Sequence, residues 1–362
     1  MKILSAIWLS MLLVVLSLTA AMIGQKPIAW GAHSFTLSWV LQAGVFGLTV
    51  LLTVLFGWRY ALKVVITNSI CYLLAMLAIK LAIVVPADVS WTQQAWYAQA
   101  LAVPWLTIRL TFIWLLVVQA IVIGVLSYFL KTAQQKSSML GLFPFICMIF
   151  VMSLLVSNLT TQKIAHLVGI TVDVGTLFFP ITYIFNNIFT EVYGYKRSRV
   201  AIWGGLLGNL LMIALLQLVV ELPHASGWQG QAVYQAIMGS VPRIVLASTL
   251  AFFFGEFVNS YVLAKFKILT SGKYLWTRTI GSTVFGVAVD SLVFSFIAFY
   301  GTVPIPVVLA IAGWEYVLKV GYEVVATPIT LRVIRWIKRQ EHEDRYDRQT
   351  RFNPFLLKDV KY

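Results

Sequence analysis

The sequence predicts an all-α, polytopic integral membrane helical bundle of about ten transmembrane helices, with both termini on the cytoplasmic side. Three observations lead there. Of 362 residues, 60% are hydrophobic and 11% charged, against about 25% charged in a soluble domain. Ten apolar runs each approach the ~20 residues that a helix needs to cross the hydrocarbon core. Lys and Arg also alternate between successive loops, as expected when basic loops are held in the cytoplasm. This composition excludes an ordinary soluble enzyme, a disordered chain and a disulfide scaffold. The only cysteines, Cys71 and Cys147, lie inside apolar runs as packing residues and imply no redox chemistry.

The ten runs are 3–24, 36–56, 62–85, 106–130, 140–161, 174–192, 200–221, 243–264, 279–300 and 307–333. The first follows Met1 and Lys2. Its apolar stretch exceeds the core of a signal peptide, so it reads as a retained span. If that span starts in the cytoplasm, the inner loops hold Arg59 and Lys63, then Lys131 and Lys136, then Lys196, Arg197 and Arg199, then Lys265, Lys267, Lys273 and Arg278. The basic tail lies on the same side. Opposite loops hold Lys26 and Lys163, with Arg109 and Arg243 at span entrances, and 301–314 has neither Lys nor Arg. Orientation therefore explains the net charge of +14 better than a nucleic-acid surface, because the basic residues form no continuous stripe.

Sliding the chain against itself gives matches at one offset, 137 residues. Pro86, Trp91, Gln94, Ala95 and Tyr97 fall on Pro223, Trp228, Gln231, Ala232 and Tyr234 without a gap. The same shift pairs Gln25 and Lys26 with Gln162 and Lys163, Thr53 with Thr190, and Gly57 with Gly194. Residues 1–135 thus read as a diverged four-span copy of about 138–270, followed by two spans present once. The expected domains are that N-terminal copy, a six-span transporter core at 138–335, and a basic cytoplasmic tail at 336–362. Four is even, so the copies would be parallel and not inverted. Coincidence between similar amphipathic loops is the alternative. The copies differ where chemistry could be, and at these positions the first copy has lost its acids: Glu191 faces Val54, Glu256 faces Gln119, and Asn186 and Asn187 face Thr49 and Val50.

An ionisable group at bilayer depth costs about 2.5–3.5 kcal/mol on insertion scales, which makes each one a functional candidate. Glu256 lies mid-run with Asn259 on nearly the same helical face. Asp290 sits deep in the ninth run without a basic neighbour on its own helix, and Glu315, Lys319 and Glu323 follow at intervals of four on the tenth. For that stripe, a self-neutralising pair that eases insertion is the alternative to a substrate role. Glu191 closes the sixth run near Lys196 and Arg197, where an interfacial ion pair is the simpler reading. Asn158, Gln162, Lys163 and His166 either line an entrance or make interhelical and solvent hydrogen bonds. Phosphate-loop, zinc-protease, paired-cysteine and nucleophile-elbow motifs do not occur, and the four histidines are scattered. No enzyme, metal or cofactor is expected.

The second copy resembles a known family at several separated places: NLTTQKIAHLVGI at 158–170, FPITYIFNNIFTEVYGYKRSR at 179–199, GWQG at 227–230, GEFVNSYVLAKFKI at 255–268, TRTIGSTVFGVAVDSLVF at 277–294 and LKVGYEVVATPIT at 318–330. These segments are similar to the queuosine precursor transporters, also described as the vitamin uptake transporter (VUT) family, over about 138–335. Members often carry Asp where this chain has Asn187, and the N-terminal copy is additional to the shorter members. The resemblance implies a multi-pass protein of the bacterial inner membrane that imports 7-deazaguanine precursors, with no contact to the tRNA they later enter. Glu256, Asp290 or Glu323 would accept the N–H donors of the guanine-like base. Asn187 and Asn259 would read its remaining polar edge, Trp203, Tyr261 or Tyr322 would stack on it, and Lys319 would neutralise the acids of the empty pocket. Asn187, Glu191, Glu256, Asn259, Asp290, Lys319 and Glu323 are therefore the candidate substrate-binding or coupling residues. Rival readings are uptake of another small planar metabolite and a non-transporting membrane scaffold. The sequence fixes neither a coupling ion nor a homo-oligomer.

Overall fold

Long apolar runs without interior proline become helices, and the computed structural model shows them in chain order. It describes residues 2–30, 33–87, 93–129, 141–161, 163–167, 170–239, 242–301, 304–348 and 350–356, so Trp91, Lys131, Lys136 and Gln162 lie outside the described residues. Helix α1 covers Lys2–Ile23, α2 Ser38–Phe56, α3 Trp58–Val84, α4 Gln94–Leu101, α5 Trp105–Ile113, α6 Gln119–Phe129 and α7 Phe143–Thr160. Then come α8 Gly175–Phe178, α9 Pro180–Ile188, α10 Tyr195–Glu221, α11 Gln231–Met238, α12 Pro242–Leu269, α13 Leu275–Phe299 and α14 Ile305–Glu341. Two small antiparallel hairpins interrupt the helices, β1 Ile28–Trp30 with β2 His33–Phe35, and β3 Ile164–Leu167 with β4 Ile170–Asp173.

Eight helical stretches are long and apolar enough to cross a membrane: Leu4–Ile23, Ser38–Phe56, Trp58–Val84, Gln94–Tyr128, Phe143–Thr160, Tyr195–Glu221, Leu246–Leu269 and Leu275–Ala298. Two of the ten expected spans are not among them. The run 174–192 breaks at Pro180 into α8 and α9 and closes in a π-turn, Phe189–Tyr193, so no single piece is long. The run 307–333 lies inside α14, a 37-residue helix that carries Glu315, Lys319, Glu323 and an interior Pro328. A break shortens the first of these segments, and charged residues lower the apolar character of the second. Helix α14 also runs beyond the expected start of the tail at 336, to Glu341.

The chain divides into two compact units. The first comprises Met1–Gly175 and Gly208–Ser240. Here α1 is a central post against α2, α3 and α7, buried through Leu13, Val14, Val15 and Leu18. Two buried lysines finish this unit. Lys26 Nζ donates to the carbonyls of Val219 (2.8 Å), Val220 (2.9 Å) and Leu222 (2.6 Å). Lys163 Nζ donates to those of Ala82 (2.9 Å), Ile83 (3.0 Å) and Val85. Each cation satisfies carbonyls that the end of a helix leaves open, α10 in one case and α3 in the other. The side-chain amides of Gln94 and Gln231 donate to Ile83 and Val220, and β-bridges join Ile28 to His224 and Ala87 to Ala165.

The second unit comprises Thr176–Leu207 and Val241–Tyr362. In it α9 packs on α12 and α14, and α13 lies against both α12 and α14. Gly194, at φ +79°, joins the π-turn to α10 in a conformation that L side chains rarely adopt. That single residue turns the chain from the site into the next helix.

Candidate functional site

Within the second unit, polar side chains from α9, α12, α13 and α14 converge because helical spacing puts them on facing stripes. Close approach of α12 and α13 makes this possible. A Cβ on Gly286 would meet Asn259 Cβ at 2.7 Å and the Gly255 carbonyl at 2.9 Å, and one on Gly255 would meet Asp290 Cβ at 2.8 Å and the Tyr183 hydroxyl at 2.9 Å. Small residues let these backbones touch at the level of Glu256, Asn259 and Asp290. Gly286→Val should therefore force the helices apart and cost roughly 1–3 kcal/mol or more. The check is the yield and thermal midpoint of monodisperse protein in detergent, with Gly313→Ala, where a Cβ meets nothing within 4 Å, as the control.

At the centre is Asn187. Its amide nitrogen donates to Glu323 Oε1 (3.0 Å) and Thr283 Oγ1 (3.3 Å), while its oxygen accepts from Asn259 Nδ2 (3.1 Å) and Ser282 Oγ (3.4 Å). Neighbouring Asn186 accepts from Ser198 and Ser260, both at 2.7 Å, and donates to the backbone carbonyl of Glu256 at 2.9 Å. Several buried groups here have no hydrogen-bond partner among the described residues: Glu323 Oε2, Asn259 Oδ1, both oxygens of Glu256 and the Tyr183 hydroxyl. Buried acceptors left open in this way are costly unless something fills them.

Next along α13 and α14, Lys319 Nζ lies 2.7 Å from Asp290 and 3.2 Å from Glu315. The same ammonium stands 5.1 Å from the centre of the Phe179 ring, which packs in turn on Tyr183 and Phe252. Lys319 is thus held mainly across helices, by Asp290, as well as within its own.

Glu191 belongs to a separate cluster, with Arg278 about 18 Å along α13 from Asp290 at 1.5 Å per residue. Its carboxylate meets Lys338 at 2.6 Å, Arg278 at 2.8 Å and Lys267 at 3.6 Å. The partners expected from sequence, Lys196 or Arg197, are not the ones found; Arg197 pairs with Glu343 at 3.5 Å. Tail residues 342–348 and 350–356 run as a strap over this end. Lys267 and Lys338 also hold Asp344, at 2.5 and 2.9 Å, Arg345 N–H donates to the Val192 carbonyl, and Asp347 accepts from Tyr195 N–H. Burial opposes the charge on Asp344, but hydrogen bonds from Lys267 and Lys338 outweigh it and hold its carboxyl below the usual aspartate range. Its contribution is therefore present at neutral pH and is lost only as pH falls through that lowered value.

Of the sequence candidates, Asn187, Asn259 and Glu323 share one hydrogen-bonded array, Asp290 and Lys319 form the adjacent ion pair, Glu256 lies beside both, and Glu191 stands apart. The expected stacking rings lie elsewhere. The Trp203 indole donates to Pro354, Tyr261 packs on Phe352, and Tyr261 and Tyr322 are exposed. Phe179 and Tyr183 are the rings beside the acids. They went unnoticed because aromatics in an apolar run carry no distinguishing signal. Gly255 and Gly286 had one, in small residues spaced at four from Ser282 to Gly286. Asn158 bonds Asn209 and Lys163 caps α3, so neither belongs to this site.

Comparison with known proteins gives a consistent result. Residues 173–333 match the family model described as a putative vitamin uptake transporter. A probable queuosine precursor transporter of Bacillus subtilis (strain 168) is 29% identical over 186 residues, 51% of this chain and 81% of that protein. The queuosine precursor transporter of Escherichia coli (strain K12) is 26% identical over 144 residues, 40% of this chain and 62% of that one. No solved structure matches.

Proposed function

We propose that this chain, which belongs over residues 173–333 to the vitamin uptake transporter family, imports a queuosine precursor, 7-cyano- or 7-aminomethyl-7-deazaguanine, across the inner membrane of a bacterium. The observation that carries the reading is the set of buried acceptors without donors, Glu323 Oε2 and Asn259 Oδ1 beside Asn187. A guanine-like edge brings adjacent ring and exocyclic N–H donors that fill such acceptors. A carboxylate takes two of them at once, and the strength of a charge-assisted bond favours the site over water. Glu323 receives the donors, Asn187 and Asn259 read the remaining edge, and Phe179 and Tyr183 offer apolar faces to the ring. Asp290 and Lys319 set the charge of the pocket wall.

In this reading both termini are cytoplasmic, and α9 with its π-turn and α14 complete ten crossings as a broken helix and a charged one. Such irregular segments are tolerated at membrane depth where they line a cavity and not lipid. The N-terminal copy serves as a scaffold. Its support is the reciprocity of the two lysines: the acceptors of Lys26 and those of Lys163 differ by 137 positions throughout, as do the two glutamine bonds and the two β-bridges.

The test is rescue of tRNA queuosine in a bacterial strain lacking both precursor synthesis and its own transporter, at a limiting external dose of precursor. Restored queuosine is expected. No rescue by well-expressed protein would mean a different cargo, and the vitamin of the family description would lead the next screen. A scaffold, the reading that saturated ion pairs such as that of Lys319 favour, would move no small molecule at all.

A further inference from the structure

We propose that Glu256 is the proton-binding group that couples substrate uptake to an inward proton gradient; this rests on the transport reading above. The buried acids of this unit are not equivalent. Asp290 has Lys319, Glu323 has the Asn187 amide, and Glu191 has three cations. Glu256 is fully buried, and among the described residues neither of its oxygens accepts a hydrogen bond.

Among the described residues, the groups facing it supply no positive charge. From α9 come Thr182, Tyr183 and Asn186, from α13 Asp290, and from α14 Glu323. Thr182, whose hydroxyl proton goes to the Phe179 carbonyl, and Asn186, which donates to the Glu256 backbone carbonyl, stand beside its carboxyl as neutral groups. Lys319 is committed to Asp290 and Glu315. A bare carboxylate that is fully buried and flanked by two further acids is disfavoured, so Glu256 rests as the neutral acid.

The first unit offers a contrast at the positions 137 residues earlier. There Thr49 donates to Gln119, a neutral pair that cannot titrate, where the second unit has Asn186 and Glu256. An acid in place of an amide adds nothing to packing and one thing to chemistry, a proton that can come and go. In the cycle, a proton from external water adds to a Glu256 oxygen when the site opens outward, travels with the substrate, and leaves to cytoplasmic water. No bond other than O–H forms or breaks.

The experiment uses the full chain in proteoliposomes with radiolabelled 7-cyano-7-deazaguanine and a lumenal pH dye. With one proton per substrate, an imposed gradient of one pH unit, alkaline inside, supports about tenfold accumulation. Wild type is expected to reach it, to lose it with a protonophore, and to acidify the lumen when substrate is added. Glu256→Gln should lose gradient-driven accumulation and acidification, with any residual substrate exchange insensitive to pH. Glu256→Asp should retain coupling with a displaced pH profile, which a merely structural role would not produce. Exchange and accumulation by wild type without substrate-dependent acidification would overturn the proposal whatever the variants do, as would gradient-driven accumulation by Glu256→Gln. Absence of all exchange by folded wild type would instead overturn the transport reading on which it rests.

Discussion

Lys319→Met is expected to abolish uptake and to lower stability by about 3–5 kcal/mol, the typical cost of leaving a buried charge without its partner, while Asp290→Asn is expected to abolish uptake at a smaller cost. The asymmetry follows from geometry. Removing the ammonium takes from Asp290 its 2.7 Å ion pair, with Glu256 close by, whereas removing the Asp290 charge leaves Lys319 its bond to Glu315 at 3.2 Å. The double variant Asp290→Asn/Lys319→Met should regain much of the stability that Lys319→Met loses, because it removes both desolvated charges. Transport should not return with it. The measurements are thermal unfolding in detergent and uptake in the rescue strain. A Lys319→Met protein with unchanged stability and normal uptake would show that the pair is neither structural nor functional.

Glu191→Gln is the second large effect, and it appears at the other end of α13. The carboxylate sits among Arg278, Lys267 and Lys338, two of them fully buried. Neutralising it leaves three cations in mutual repulsion, with Asp344 as the remaining acid for Lys267 and Lys338. A loss of about 3–5 kcal/mol is expected. The same change should loosen the strap, since Lys267 bridges Glu191 to Asp344 and to the Arg345 carbonyl. Limited trypsin digestion reads this directly: cleavage after Arg345 and Arg348 should be slow in wild type and fast in Glu191→Gln. Equal rates would mean that the strap's other contacts, among them the Val192 and Tyr195 backbone bonds and the rings of Phe352 and Phe355, hold it without Glu191.

How legible the site was depends on the kind of signal each residue carried. Glu256, Asp290 and Lys319 announced themselves because a charge within an apolar run is expensive and needs a reason. Glu191 was visible as an acid, but its partners were not. Lys267, Arg278 and Lys338 lie 76, 87 and 147 residues away, and they read in sequence only as cytoplasmic charge. Phe179 and Tyr183 were hidden for the opposite reason, since aromatics are ordinary in such runs. Eight spans followed from length and hydropathy, while the remaining two runs lost that signature through Pro180 in one and through Glu315, Lys319, Glu323 and Pro328 in the other.

By itself the sequence determined the solvent, the helical class, the family motifs and which polar residues had to be explained. All of these are local or compositional: a 20-residue apolar run needs a bilayer wherever it lies in the chain. Tertiary structure alone decided pairing. It gave Lys319 to Asp290 on another helix, grouped Asn187 with Asn259 and Glu323, surrounded Glu191 with three cations, and left Glu256 with none. Pairing is decided there because electrostatic partners are chosen by distance in space and by the dielectric around them, and helix crossings as close as that at Gly255 and Gly286 set both.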